Sequence, residues 1–358
     1  MKKDRIVWVD ILRGISMLLI VYGHIIIHCD KLSPLNKYIM SFHVPIFFLI
    51  SGFIFSVKEN IKYREFIWKK FKRIMIPYFV FGFIFLLPYV LFGNGIGAML
   101  DRENDINIWK NVVGIFYGNG NDGFLRQNSS LWFLPCIFIT QQIFYFVELI
   151  NNKYKNGSKK LYIYSGAAII FLVSGFISYS IPHVRLPWGI DVAIVLSFFF
   201  AIGKIVNIFY SKWKDKEYNI LIGIALLIIG YILSAPNTAV SCMNHEYGNY
   251  WLFAISAVVT SLGFIFFVQG WKKNRVLEYI GNNTIGILIF HKLVIVLFQT
   301  KLGIISNTLL HGNMIMQIII SLVVLVLSIA SCLIPIVILK KLCPILIGEK
   351  KKGLKCKI

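Results

Sequence analysis

Arg13 and His24 are the first residues in this chain whose types and spacing suit chemistry. They stand eleven residues apart, which at 3.6 residues per turn returns to within about 20° of one helix face and places His24 roughly 16.5 Å further along the axis. A guanidinium grips and polarises oxygen-bearing groups, and an imidazole with an ordinary pKa near 6.5 can take a hydroxyl proton at neutral pH. His43 and His291 also lie in apolar surroundings. Two imidazoles at one level could form an acid/base site, and the plainer reading is that each bonds a backbone carbonyl. The six cysteines show no CxxC and no Cys/His pairing, so the spacing points to neither a metal site nor a disulfide framework.

The elements that must position these residues follow from composition. The chain of 358 residues is 57% hydrophobic and only 15% charged, with a mean hydropathy of +0.72. Such a chain is solvated by lipid. The net charge of +21 sits in short clusters between apolar stretches, the pattern of membrane topology and not of nucleic-acid binding. A helix crossing roughly 30 Å of hydrocarbon needs about 20 residues. Ten stretches qualify: Ile6 to His28, His43 to Val57, Ile74 to Phe92, Leu131 to Ile150, Leu161 to Ile181, Trp188 to Tyr210, Tyr218 to Ser234, Tyr250 to Trp271, Thr284 to Thr300 and Met314 to Leu339. The second and ninth are short, so they begin earlier or do not cross fully. The first has a basic flank but contains Arg13 and His24 and lacks a small-residue cleavage site, and is expected to be retained.

With this division, 27 Lys and Arg residues fall in alternate connections and the tail, and 7 in the opposite connections. That bias predicts an all-α, polytopic membrane bundle of about ten spans with both termini cytoplasmic. The expected organisation is one membrane domain over 1–345 and a basic cytoplasmic tail over 346–358, with no appended soluble domain. The longest hydrophilic connection, 93–130, faces outward.

Ionisable groups within a span cost several kcal/mol unless paired or wetted, so each is a functional candidate. On this topology Arg13 lies in the inner half of the bilayer and His24 near the outer surface. His43 opens the second span near the depth of His24. His291 and Asn282 are expected near the inner end, at the depth of Arg13. Lys204 and Lys292 fall within about two turns of a cytoplasmic end and are read as snorkelling. Asp10, three residues before Arg13, is at contact spacing and neutralises it or is solvated. Trp132 and Trp188 fit the interfacial aromatic belt, and stacking on a sugar is the alternative. Asp191 is a candidate ligand for an acceptor hydroxyl.

The opening DILRGISMLLIVYGH, Asp10 to His24, is similar to the first helix of the acyltransferase family 3 membrane proteins, which carry Arg, ten residues, then His. FHVPIFFLISGF, Phe42 to Phe53, resembles that family's second motif, and REFIWKKFKRIMIPYF, Arg64 to Phe79, its basic cytoplasmic motif. SLWFLPCIF, Ser130 to Phe138, and LEYIGNNTIGILIFH, Leu277 to His291, look like the fucose 4-O-acetylase-like branch, which modifies surface polysaccharides. One departure is Lys70, where many members carry a second Arg; it lacks the bidentate fork.

The resemblance implies an O-acyltransferase of a bacterial inner membrane. Its donor would be acetyl-CoA and its acceptor a hydroxyl of a surface polysaccharide sugar or a lipid-linked precursor, with no resident cofactor or metal. On this reading Arg13, His24 and His43 are catalytic; Lys69, Lys70, Arg73 and His291 serve the donor; Trp132 and Asp191 serve the acceptor. Membrane lipids are the other partners. For the cluster Lys58 to Arg73, plain positive-inside topology and anionic lipid contact suffice when it is taken alone. A transporter or flippase remains open, because buried Arg and His tracks also serve substrate and proton pathways. A non-catalytic scaffold is the third reading. Asn128-Ser129-Ser130 fits a glycosylation pattern that is short and often accidental.

Overall fold

The computed structural model describes residues 6–58, 60–92, 107–121, 123–154, 157–181, 185–214, 216–301 and 312–349. Within them run twelve α-helices: α1 (Val7–Ile25), α2 (Ser33–Ile54), α3 (Tyr63–Phe92), α4 (Ile108–Tyr117), α5 (Phe133–Asn152), α6 (Gly157–Ser180), α7 (Ile190–Trp213), α8 (Asn219–Ser234), α9 (Tyr250–Val268), α10 (Arg275–Asn282), α11 (Thr284–Lys301) and α12 (Met314–Leu342). Apolar runs of this length become helices in lipid because only a helix satisfies its backbone groups internally.

Eight described helices are long and apolar enough to cross a membrane, and α10 with α11, which meet at an 85° bend, pass the same test of length and composition when taken together. Helix α8 is apolar but has 16 residues, about 24 Å at 1.5 Å per residue, so it crosses only where the bilayer thins or its ends are wetted. These three groups account for the ten apolar runs. The two short runs have different explanations. The second span starts ten residues earlier than its apolar core suggests, so His43 lies well inside α2 and does not open it. The ninth is broken at Asn283, whose φ of −107° ends α10.

Burial sorts the helices into centre and rim. In α1 and α2, 72% of the most apolar window is buried in the protein, against 22% in α6 and 28% in α12. The rim helices present Ile169, Ile177, Val326 and Ile334 outward, as lipid-facing residues should. Helix α1 packs against α2, α9, α10, α11 and α12, so Arg13 and His24 sit on one of the two most enclosed spans.

Its contact with α10 is unusually close. A Cβ on Gly281 would stand 1.9 Å from the Asp10 carbonyl oxygen, and one on Gly14 2.2 Å from that of Leu277. Two glycines facing each other's helix backbones are what permit this approach.

Lys204 does not snorkel. Its ammonium lies 2.9 Å from Glu148 Oε1 and donates to the Phe55 carbonyl at 2.8 Å, while Tyr164 donates to the same carboxylate at 2.7 Å. The buried pair ties α5, α6 and α7 to the end of α2, and removing one partner of such a pair costs about 3–5 kcal/mol. At the C-terminal end, Pro344–Ile347 forms a 3₁₀ turn with Ile347 buried, so the expected tail boundary falls inside a packed turn. Residues 350–358 lie outside the described residues, as do 93–106 of the long outward loop.

Candidate active site

Two cavities lie end to end along one stripe of α1. Arg13 and Met17 line the first, His24 lines the second, and Ile20 lines both. Offsets of four, seven and eleven from Arg13 keep these residues on one face of an unbroken helix.

The inner cavity, about 330 Å³, is bordered by Arg13, Lys70 and Arg73. Asp10 is buried and its carboxylate lies 3.6 Å from the Arg13 guanidinium, at the spacing that the sequence offers for neutralisation. The Lys70 ammonium sits 5.1 Å from the centroid of the Phe55 ring and 5.3 Å from that of Phe66, an arrangement that holds a cation by the ring quadrupoles while leaving its donors available. The bend between α10 and α11 delivers Asn282 and Thr284 to the wall, and the C-terminal turn adds Gly348 and Glu349. Glu349 is paired with Lys340 at 2.8 Å. Lys69 is exposed on α3 and lines neither cavity. It follows Trp68 on the outer side of the helix, so its place in the basic cluster does not bring it to the site.

The outer cavity, about 240 Å³, gathers three imidazoles from three helices. His24 lies 6.5 Å from His43 and 5.4 Å from His291 between ring centroids. The level shared by His24 and His43 is thus as the sequence suggests, but His291 is beside His24 and not beside Arg13. The break before Thr284 explains this. Counted from there, His291 is seven residues, about 10.5 Å, into α11. Lys292 is carried along with it. Instead of snorkelling inward, it lines this cavity and donates to Ser129.

The hydrogen bonds of two of the rings define their chemistry. His43 Nδ1 lies 3.0 Å from the Ile39 carbonyl, and His291 Nδ1 lies 3.0 and 2.9 Å from the Ile287 and Leu288 carbonyls. Carbonyl oxygens only accept, so in both rings Nδ1 carries the hydrogen and the neutral imidazole presents a lone pair at Nε2. That nitrogen of His291 is buried without a protein partner.

The acceptor-side wall comes from the turn Ser129–Trp132 and the loop before α9. Asn128 donates to the Ile289 carbonyl at 2.6 Å, fixing Ser129 and Ser130 against α11. Trp132 lines the cavity at 9% exposure. Trp188 is elsewhere, donating its indole N–H to the Phe116 carbonyl. Asp191 lines neither cavity; it is fully buried and ion-paired with Arg185. Arg185 in turn donates to the Met243 carbonyl at 2.6 Å. The pair pins the loop that supplies Ser241, Cys242, Met243 and Asn244 to the outer cavity. Asp191 thus shapes the chamber from behind.

Burial pushes the Cys242 thiol up to about 12, so it offers no thiolate nucleophile at neutral pH. Among the described residues no group of His, Cys, Asp and Glu has a metal-holding arrangement.

Sequence reasoning misplaced Lys292, read as snorkelling, and missed the 241–244 wall. The adjacency His291-Lys292 and the polar string IGNN before α11 are the signals that could have shown the first. Nothing local marks the second.

A model of the acyltransferase 3 family, described as an acyltransferase domain, matches residues 6–337. No curated protein and no solved structure matches the chain.

Proposed function

The chain belongs to the acyltransferase 3 family and is a membrane acyltransferase, and we propose that it carries acetyl from cytoplasmic acetyl-CoA to a sugar hydroxyl. The acceptor on this reading is a cell-surface polysaccharide or its lipid-linked precursor, at a bacterial inner membrane, as in the fucose 4-O-acetylase-like branch. The observation that carries it is the pair of cavities joined along α1, one cationic and one rich in imidazole.

In this mechanism Arg73 and Lys70 hold the donor phosphates, and Arg13, in the same inner cavity, holds the amide-bearing arm behind the thioester. His24 accepts the proton of the acceptor hydroxyl, whose oxygen attacks the thioester carbon. The carbon–sulfur bond breaks, and the proton on His24 passes to the departing sulfur, so CoA leaves as the thiol. Trp132 supplies a flat face for the sugar ring. Lys292 and Ser129 supply donors to its oxygens.

His24→Ala in membranes supplied with labelled acetyl-CoA is expected to lower acetylated product by at least about 10²-fold. Undiminished transfer at normal expression would falsify the assignment. Uptake or flipping in liposomes without acyl-CoA would favour the transporter instead.

A further inference from the structure

The two cavities share three wall residues, Ile20, Phe133 and Leu288. Each comes from a different helix, α1, α5 and α11, and each is apolar. Ile20 and Leu288 are both 5% exposed. Ile20 is one turn below His24 on the same face. Leu288 is three residues before His291 and its carbonyl accepts from that ring. Phe133 is wedged edge-on against Phe48 at 5.5 Å, Phe47 at 6.0 Å and Trp132 at 6.1 Å between centroids. Phe47 belongs to the inner cavity and Trp132 to the outer, so the Phe133 ring is clamped from both sides.

We propose that Ile20, Phe133 and Leu288 form a collar that selects the acyl group, admitting acetyl and rejecting larger acyl chains. The proposal rests on the donor path argued above. A donor that enters from the cationic side must bring its acyl carbon through this collar to reach His24. With the carbonyl at that imidazole, the acyl methyl lies against Ile20 and Leu288, one turn below the histidines. A longer or branched chain has two places to go: into the outer cavity, where it competes with the sugar, or into the collar, where packed side chains must move. Interior packing resists even one added methylene. The collar offers no side-chain hydrogen-bonding group, so it also keeps water from the thioester.

The test uses the full-length protein in membranes of the producing cells, which carry the acceptor, with labelled acetyl-, butyryl- and isobutyryl-CoA. Wild type is expected to favour acetyl. Leu288→Ala and Phe133→Ala are expected to raise the butyryl-to-acetyl ratio by about tenfold or more, the discrimination that one or two methylenes carry. Should these variants fail to accumulate, Leu288→Val and Ile20→Val make smaller openings and are expected to shift the ratio in the same direction. An unchanged ratio in folded variants, or a wild type that uses butyryl as well as acetyl, overturns the collar. Wild type that transfers no acyl group from any of the donors, under conditions where His24→Ala is indistinguishable from it, refutes the donor path itself.

Discussion

His43 and His291 each commit Nδ1–H to carbonyls of their own helix, and this separates their roles from that of His24. A ring fixed in that way is held in one tautomer and one orientation, which suits a group that positions another. The His291 ring packs beside the His24 ring, 5.4 Å between centroids, with its Nε2 lone pair buried, so it limits where the His24 ring can lie. His291→Ala is therefore expected to lower kcat by about ten- to a hundredfold, with little change in KM for acyl-CoA, because it misplaces the base without touching the donor. The base must be neutral to take the proton, so wild-type kcat should fall once the pH is low enough to protonate His24, and His291→Ala should displace that inflection. A profile of kcat and KM against pH checks both, and a variant with unaltered kcat and inflection would leave His291 as packing. Arg13 and His24 were legible as a pair because they share one unbroken helix, where spacing fixes geometry. The company of His291 was not, since it depends on where a different helix begins. Asp191 looked like a ligand because its partner Arg185 stands outside the span, six residues earlier.

At the scale of elements, the short helix α10 does what an apolar run cannot announce. Asn274 caps it, accepting from the Leu277 N–H at 3.0 Å while Glu278 accepts from the Asn274 N–H at 3.2 Å. The helix then lies across α1 on two glycines and turns by 85° into α11. This bend sets both the inner wall at Asn282 and the height of His291, so one crossing controls both cavities. Gly281→Ala puts a methyl against the Asp10 backbone, where no flexible side chain can give way. It is expected to cost about 1–3 kcal/mol and to raise KM for acyl-CoA, while Gly166→Ala, with open space around its Cβ position on α6, should be neutral. Thermal unfolding in detergent together with donor kinetics tests the pair, and equal behaviour of the two variants would remove α10 from the argument. The existence of the spans was readable from apolar length and alternating charge. Their starts and breaks were not, because hydropathy does not distinguish a short polar helix that packs by one edge on another backbone, such as α10, from a loop.

For the whole molecule, the mechanism depends on two chambers facing opposite sides. The residues around the inner cavity belong to segments on the side of the 27 Lys and Arg residues, and the loop roofing the outer cavity belongs to the opposite side. The single bent span, among the described residues, has no second bent pair to match it, whereas transporters that alternate access are commonly built from repeated halves with paired broken helices. A fixed through-path with a closed apolar collar suits group transfer better, since only the acyl carbon has to cross the waist and both substrates stay on their own side. That arrangement predicts a sided reaction. Vesicles sealed with the cytoplasmic face outward should acetylate their acceptor when given membrane-impermeant acetyl-CoA in the medium. Vesicles of the opposite orientation should do so only after permeabilisation. Product is measured as label in the glycan fraction, with CoA released on the side of addition. Equal labelling in both sealed preparations would mean that the donor is not confined to the cytoplasmic face, and a route running from Arg13 outward to His24 could not then be its path.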